Sequence, residues 1–354
     1  MHKGSLVTPH YTLYLALCMV LFSSFSLMSQ YTDVINSNRP GQTVSAYAVG
    51  KNVLQAEFGV SYEKQDHDIL RTDSNIWGSD LSLRYGLLFE TLELIWEGTY
   101  QTQNISFLNF GESQTRTDFS RNRLGLKYLL YDPYKNPERN TPNLYSWRAN
   151  NKFQWKNLIP AISVYAGATF NLGDNPFFSG DPTVSPRIML ATQSRLSPRF
   201  VLISNITYDR ISSDFPEWSY IISLSHALKN PKWSVFGETQ IVDSDRYSDV
   251  LFRTGTAYLI SKNLQADINI AASYKDTPTR IQGTVGISYR LDMHKDVLIP
   301  IDEQEGGENG EVPRNAMKQQ AKNTSKLGAS KKELKRQRKK DRKKGMDENS
   351  IIEF

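Results

Sequence analysis

The stretch Leu54 to Tyr62 alternates without a break. Leu54, Ala56, Phe58, Val60 and Tyr62 fall on one side, and Gln55, Glu57, Gly59 and Ser61 on the other. A period of two means a strand with two unlike faces. The pattern recurs about twelve times down the chain, and few folds accommodate that many two-faced strands.

The later runs are Leu81–Leu87, Leu92–Gln101, Arg123–Leu130, Ile162–Phe170, a poorly patterned run near Pro186–Arg195, Phe200–Tyr208, Trp218–Leu228, Trp233–Ile241, Val250–Leu259, Leu264–Ala272 and Ile281–Leu291. Each is roughly 9–11 residues, enough for a tilted strand to cross a bilayer. The ionisable groups Glu57, Arg84, Glu93, Glu97, Arg123, Lys127, Glu238, Asp267 and Arg290 all take the polar face, and Ile95 is an apolar exception on it.

Composition narrows the choice. The hydrophobic fraction is 39% and mean hydropathy is -0.48, too low for a bundle of apolar helices. A membrane barrel needs apolar residues only at alternate strand positions. The chain holds 18 Tyr, 16 Phe and 6 Trp. Tyr62, Phe89, Tyr100, Phe170, Tyr208, Trp218, Trp233 and Tyr289 stand near strand ends, as interfacial belts require.

Alternation alone also suits a soluble sandwich with one wet face. The connections discriminate. Short links near Glu90-Thr91, Ser197-Pro198, Asn230-Pro231 and 261–263 alternate with longer ones over 63–80, 102–121, 171–185, 209–217 and 242–249. Outer-membrane barrels have short periplasmic turns and longer outer loops, and an even strand count leaves both ends in the periplasm. The link 131–157 is long but falls on the short-turn side. It is either a polar insert or the hiding place of two more strands around Tyr145–Trp147 and Phe153–Trp155.

Residues 1–30 read as a signal peptide: Lys3, an apolar run from Tyr11 to Met28, and a small-x-small site at Ser24-Phe25-Ser26, with a cut nearer Gln30 as a second choice. An uncleaved anchor is the alternative reading of that run. Cys18 is the sole cysteine, so a cleaved chain has no thiol chemistry. Residues 31–52 form a periplasmic lead-in, 53–291 the barrel, and 292–354 a charged, low-complexity tail, disordered or partly helical. The tail runs from an acidic part into the basic run Lys331–Lys344.

No catalytic set stands out. Of five histidines, His226 alone lies on a strand, without a partner pattern, and there is no zinc spacing, nucleophile elbow or P-loop. The expectation is a non-enzyme without cofactor or metal, whose partners are outer-membrane lipid and a small-molecule solute. Nucleic acid is not expected for an exported chain, despite the basic tail.

Several short motifs carry a resemblance: Asn38-Arg39-Pro40-Gly41-Gln42-Thr43, Gly50-Lys51-Asn52, Glu57-Phe58-Gly59, Gly125-Leu126-Lys127-Tyr128, Asn171-Leu172-Gly173-Asp174, Gly255-Thr256-Ala257-Tyr258, Asn263–Asp267 and Gly286–Leu291. They resemble the outer-membrane transporter-like family named for the meta pathway of phenol degradation. Asn38 stands where that family usually has Asp, and the long tail departs from its usual ending. The resemblance spans Asp33 to Leu291. It implies a β-barrel and a role in uptake of small molecules, hydrophobic or aromatic ones included.

The expectation is therefore an all-β, antiparallel transmembrane barrel of about 12 strands in the bacterial outer membrane. It would pass small solutes passively, with the inward charges setting selectivity and Arg39 in a partial plug formed by the lead-in. The alternative is a structural or docking barrel whose basic tail binds a periplasmic partner or anionic polymer.

Overall fold

The computed structural model describes residues 34–293 except 137–139, 142, 147, 149 and 151. The expected signal peptide (1–30) and all of the tail beyond Met293 lie outside the described residues. The chain forms twelve strands: β1 (Val53–His67), β2 (Thr72–Gly86), β3 (Leu92–Phe107), β4 (Glu112–Tyr131), β5 (Ala161–Phe170), β6 (Val184–Ser197), β7 (Phe200–Asp209), β8 (Glu217–Ala227), β9 (Trp233–Asp243), β10 (Asp249–Ser261), β11 (Leu264–Ser273) and β12 (Thr279–Asp292). Each pairs with its sequence neighbours, and β1 pairs with β12 to close the barrel. At the seam Leu54 faces Leu291, Phe58 faces Ile287 and Gly59 faces Gly286. Closure leaves no bare edge in hydrocarbon, where unpaired backbone groups would go unsatisfied.

The two faces of each strand part as alternation requires. Phe58 is 44% exposed on the outside and Ile268 53%, whereas Gln55, Glu57, Asp267 and Asn269 between them are buried inside. The outward band of Phe, Leu, Ile and Val sits in lipid, with aromatic pairs at its margins such as Tyr62–Trp77 and Tyr208–Trp218. A closed antiparallel barrel with an apolar exterior and polar interior is a bacterial outer-membrane protein. The start of β1, the end of β12, the turns 87–91, 198–199, 228–232 and 262–263 and the long link 132–160 share one end. An even strand count makes that the periplasmic end by the general rule for such barrels, while link length does not tell the ends apart, since 68–71 and 108–111 opposite are as short as 87–91.

Four sequence-based expectations need correction or completion. Seven of the twelve strands run longer than 9–11 residues, up to twenty in β4, while β5, β7, β8, β9 and β11 keep the expected length. The links expected over 63–80 and 102–121 are mostly strand: β1 continues to His67 and β3 to Phe107, leaving turns of 68–71 and 108–111. Beyond the aromatic belt both faces of a strand meet water, so Thr102–Ser106 and Ser113–Thr117 keep strand backbone while losing the hydrophobic alternation. The poorly patterned sixth run is a clean strand with Ser185, Arg187, Met189, Ala191 and Gln193 inward and Ile188 and Leu190 outward. Its pattern is blurred because Met189 and Ala191 are apolar inward residues. The link 132–160 holds, among its described residues, a 3-10 turn at Trp155–Leu158 and no strand.

β4 is twice as long as β5, and the two pair only from Arg123 to Tyr131 of β4. The outer half of β4 is thus paired with β3 on one side only.

Candidate functional site

The lead-in enters the barrel. It starts at the periplasmic rim, where the Ile35 N–H donates to the Lys262 carbonyl at 2.8 Å. Thr43, Val44, Ser45 and Ala46 are buried in the lumen, and Val49 returns to the wall beneath β1. With no partner strand, the backbone's polar groups must be satisfied by side chains. The Gln42 and Thr43 N–H groups donate to the Glu238 carboxylate, Asn38 N–H to Glu57 and Val49 N–H to Glu93. Asn205 accepts from the Val44 N–H at 2.6 Å and donates to its carbonyl at 2.9 Å, as the backbone of a neighbouring strand would. The carbonyls are met from the wall: Asn36 by Arg84 and Gln55, Arg39 by Gln265, Pro40 by Asn269, and Ser45 and Tyr47 by Lys127.

The expected lumen residues fall into distinct groups. Arg84, 0% exposed, lies 2.8 Å from Glu93 and 3.5 Å from Glu57, and Lys127 lies 3.3 Å from Glu93. Arg39 reaches Asp267 at 3.2 Å. Its guanidinium rests against Gly59 and Gly286, which face each other across the seam, and a Cβ on Gly286 would come within 2.3 Å of it. Glu238 holds Arg253 as well as the lead-in. Glu97 is 3.7 Å from Arg123. Arg290 stands apart at the periplasmic rim, donating to the Asn263 side chain and lying 3.9 Å from Asp292.

Removing one member of such a buried pair leaves the other charge uncompensated, at a cost of about 3–5 kcal/mol. The charges therefore fix where the lead-in sits more than they add to net stability.

Sequence reasoning missed five members. Arg187 and Arg123 both donate to Asp209 at 2.7 Å, Arg253 pairs with Glu238, and Gln193 accepts from the Ser45 hydroxyl at 2.7 Å beside the Asn205 contact. Arg187 and Gln193 belong to the blurred sixth run, and Asp209 ends β7 where a link was expected. The inward parity of Asn205 was readable, but its role as a backbone surrogate was not.

Two apolar contacts complete the seat. Val44 packs with Ile95, Tyr165 and Met189, which accounts for the apolar exceptions on inward faces. Ala46 packs with Leu129 and Ala161, with Tyr47 against them. The Tyr47 hydroxyl donates to Asp132 at 3.1 Å, and Arg195 lies over both the Tyr47 and Tyr134 rings. Burial first, and then neighbouring Asp132, push this hydroxyl well above the usual phenol range. The long periplasmic link thus begins by holding the exit of the lead-in.

Outside this seat the lumen opens into a cavity of about 330 Å³, floored by Gln42 and lined by Arg121, Arg123, Arg253, Arg280, Glu63 and Asp80 among others. The link 171–183 bends over it. Arg210 covers the Phe178 ring at 3.4 Å, while Asp181 accepts from Arg210 at 3.2 Å and Arg246 at 2.7 Å. A second space of about 60 Å³ lies between the lead-in and the wall of β2 to β4. The two share Gln42, Asp80, Thr99 and Arg121, and a 3.2 Å Arg121–Gln42 hydrogen bond spans the junction. Among the described residues no group of His, Cys, Asp or Glu is placed to hold a metal ion.

Solved structures similar to the chain are barrels. The COG4313 outer membrane channel from Pseudomonas putida F1 is 11% identical with a TM-score of 0.45, over 73% of this chain and 100% of that one. The Pseudomonas putida toluene transporter TodX is 10% identical with a TM-score of 0.40, over 74% and 98%. The KdgM porin is 9% identical with a TM-score of 0.38, over 67% and 99%. None of the curated protein sequences compared with the chain matches it. Residues 37–291, from the residue before Asn38 to the last residues of β12, match the family described as "Putative MetA-pathway of phenol degradation", and the chain belongs to that family.

Proposed function

We propose that the protein is an outer-membrane channel for passive passage of small solutes, held closed by residues 35–49. The observation that carries this reading is the 330 Å³ polar cavity, which lies inside a closed wall and ends on a segment joined to that wall by one backbone hydrogen bond at the rim, from Ile35 to Lys262, and otherwise by side-chain hydrogen bonds, ion pairs and small apolar contacts. A segment held in this way can leave without breaking the barrel's backbone ladder. The charged lining, with Phe178 and Tyr247 among it, supports a solute with an aromatic body and at least one polar group. The lumen-facing residues Glu57, Arg84, Glu93, Glu97, Arg123, Lys127, Glu238, Asp267 and Arg290 would then tune passage, with Arg39 as the anchor of the plug.

Planar-bilayer recordings test this. The full chain should show small or intermittent conductance, and a chain lacking residues 35–49 a larger and steadier one. Absence of conductance from both proteins, each verified as folded by heat-modifiable migration, overturns the channel reading.

The near-complete satisfaction of the lead-in backbone favours a second reading, a permanently closed docking barrel whose basic tail is its working part. Truncation after Met293 separates the two: a channel keeps its conductance, whereas a docking barrel loses capture of its periplasmic partner or anionic polymer.

A further inference from the structure

The two ends of the barrel differ in charge. Of the four short periplasmic turns, 198–199, 228–232 and 262–263 contain Arg199, Lys229, Lys232 and Lys262 and no acid, and the fourth, 87–91, carries Glu90. At the opposite end every link except 108–111 contains an aspartate, as at Asp68, Asp174, Asp214, Asp245 and Asp276, and these are partly offset by Arg71, Arg210, Arg246 and Lys275. The three basic turns join β6 to β7, β8 to β9 and β10 to β11, so they follow one another around the rim. All four cations are exposed.

Aromatic rings run along the same arc. Phe200 stacks on His226 at 4.1 Å, and Trp233 lies against Tyr258 at 4.7 Å. The 3-10 turn adds Trp155, 80% exposed. That turn lies on the outside of β6: Ser194, which shares the outward parity of Ile188 and Leu190, is buried beneath it and donates to the Leu158 carbonyl at 3.0 Å. Cation and ring are sequence neighbours three times, in Trp155-Lys156, Arg199-Phe200 and Lys232-Trp233. Rings on the lipid side of the wall belong at headgroup level, and a long cationic side chain beside each extends to the phosphates.

We infer that this arc binds anionic phospholipid headgroups of the periplasmic leaflet in preference to zwitterionic ones. A soluble polyanion would engage the lysines and arginine from the aqueous side, whereas a lipid headgroup meets them at the depth where the outward-facing rings already hold the wall. The inference rests on the membrane placement of the barrel and is independent of whether the lumen conducts.

The test uses the full chain in phosphatidylcholine vesicles containing a minor fraction of brominated phosphatidylglycerol or brominated phosphatidylcholine, with quenching of tryptophan fluorescence as the readout. The wild-type rim should prefer phosphatidylglycerol by about fivefold or more, and molar salt should reduce that preference. In the variant R199Q/K229Q/K232Q/K262Q the preference should fall close to one. Should that variant fail to show heat-modifiable migration, K229Q/K232Q serves instead and should at least halve the preference. Equal quenching by both lipids in the wild type overturns the inference, as does an undiminished preference in either folded variant. Loss of the preference to added polyphosphate also overturns it, in favour of a soluble polyanion.

Discussion

Arg39 shows how little room the seat of the lead-in leaves. Its guanidinium is pinned between the fully buried side chain of Asp267 and two glycines that meet across the closing seam. Replacing it by glutamine strands the Asp267 charge, so R39Q should weaken docking of the lead-in by about 3–5 kcal/mol. Higher open probability in bilayers, with unchanged heat-modifiable migration, is the expected outcome. G286A should act the same way but more mildly, because its Cβ must push the guanidinium off the carboxylate.

Tyr47 gives a pH dependence. Its folded hydroxyl is raised above the ordinary value of about 10, so the neutral ring's contribution is complete below that value and is lost as pH climbs past it. Alkaline solution should therefore release the lead-in, measured as rising conductance above about pH 10, and Y47F should abolish that rise.

At this scale the sequence was partly legible. The polar parity of Glu57 and Asp267 could be read from alternation, since the strand period alone determines it. Their partners could not, because Arg39–Asp267 and Asn205–Val44 join positions far apart in sequence through a segment with no period.

Among elements, the strands themselves were the most legible part, since each carries its own two-faced pattern inside the bilayer. Their outer ends were not, because water on both sides removes the contrast that marks a face. The sixth run failed for the reverse reason: Met189 and Ala191 face inward yet meet apolar lead-in residues and neighbouring wall. Ile95 is the same case, and it supplies a prediction. I95N replaces the side chain by a smaller, polar amide against Val44 and Met189, so it should cost about 1–3 kcal/mol of lead-in docking. Protease protection of residues 35–49 in the folded barrel would measure it. On the opposite face, I268K puts a charge where the wall meets hydrocarbon and should destabilise the barrel itself by about 2–4 kcal/mol, read from urea titration in vesicles.

For the molecule as a whole, one closed sheet encloses its own N-terminal segment. Twelve strands, antiparallel order and closure of the first on the last were all readable from alternation and the even strand count, whereas the expected alternation of long and short links fails at 68–71 and 108–111. That the lead-in fills the lumen was suggested by Arg39 alone, and the cavity above it was not readable, because the link 171–183 that roofs it has no period and its Asn171–Asp174 motif does not say where the link folds. A barrel of this kind should migrate faster on gels unless heated, and should partition with the outer membrane.

The lead-in is continuous with β1, and β1 is one side of the seam. The other side, β12, is the last strand to be made. The carboxylates Glu57, Glu93, Glu238 and Asp267 find their lead-in partners only inside the finished wall. Closure and plugging are therefore coupled: the lead-in can settle against Glu238 and Asp267 only as the C-terminal strands come round to meet β1. A chain circularly permuted to begin at β2 would present the same wall but place the leader between β12 and a β1 that now comes last. It should form the barrel more slowly, or close it empty.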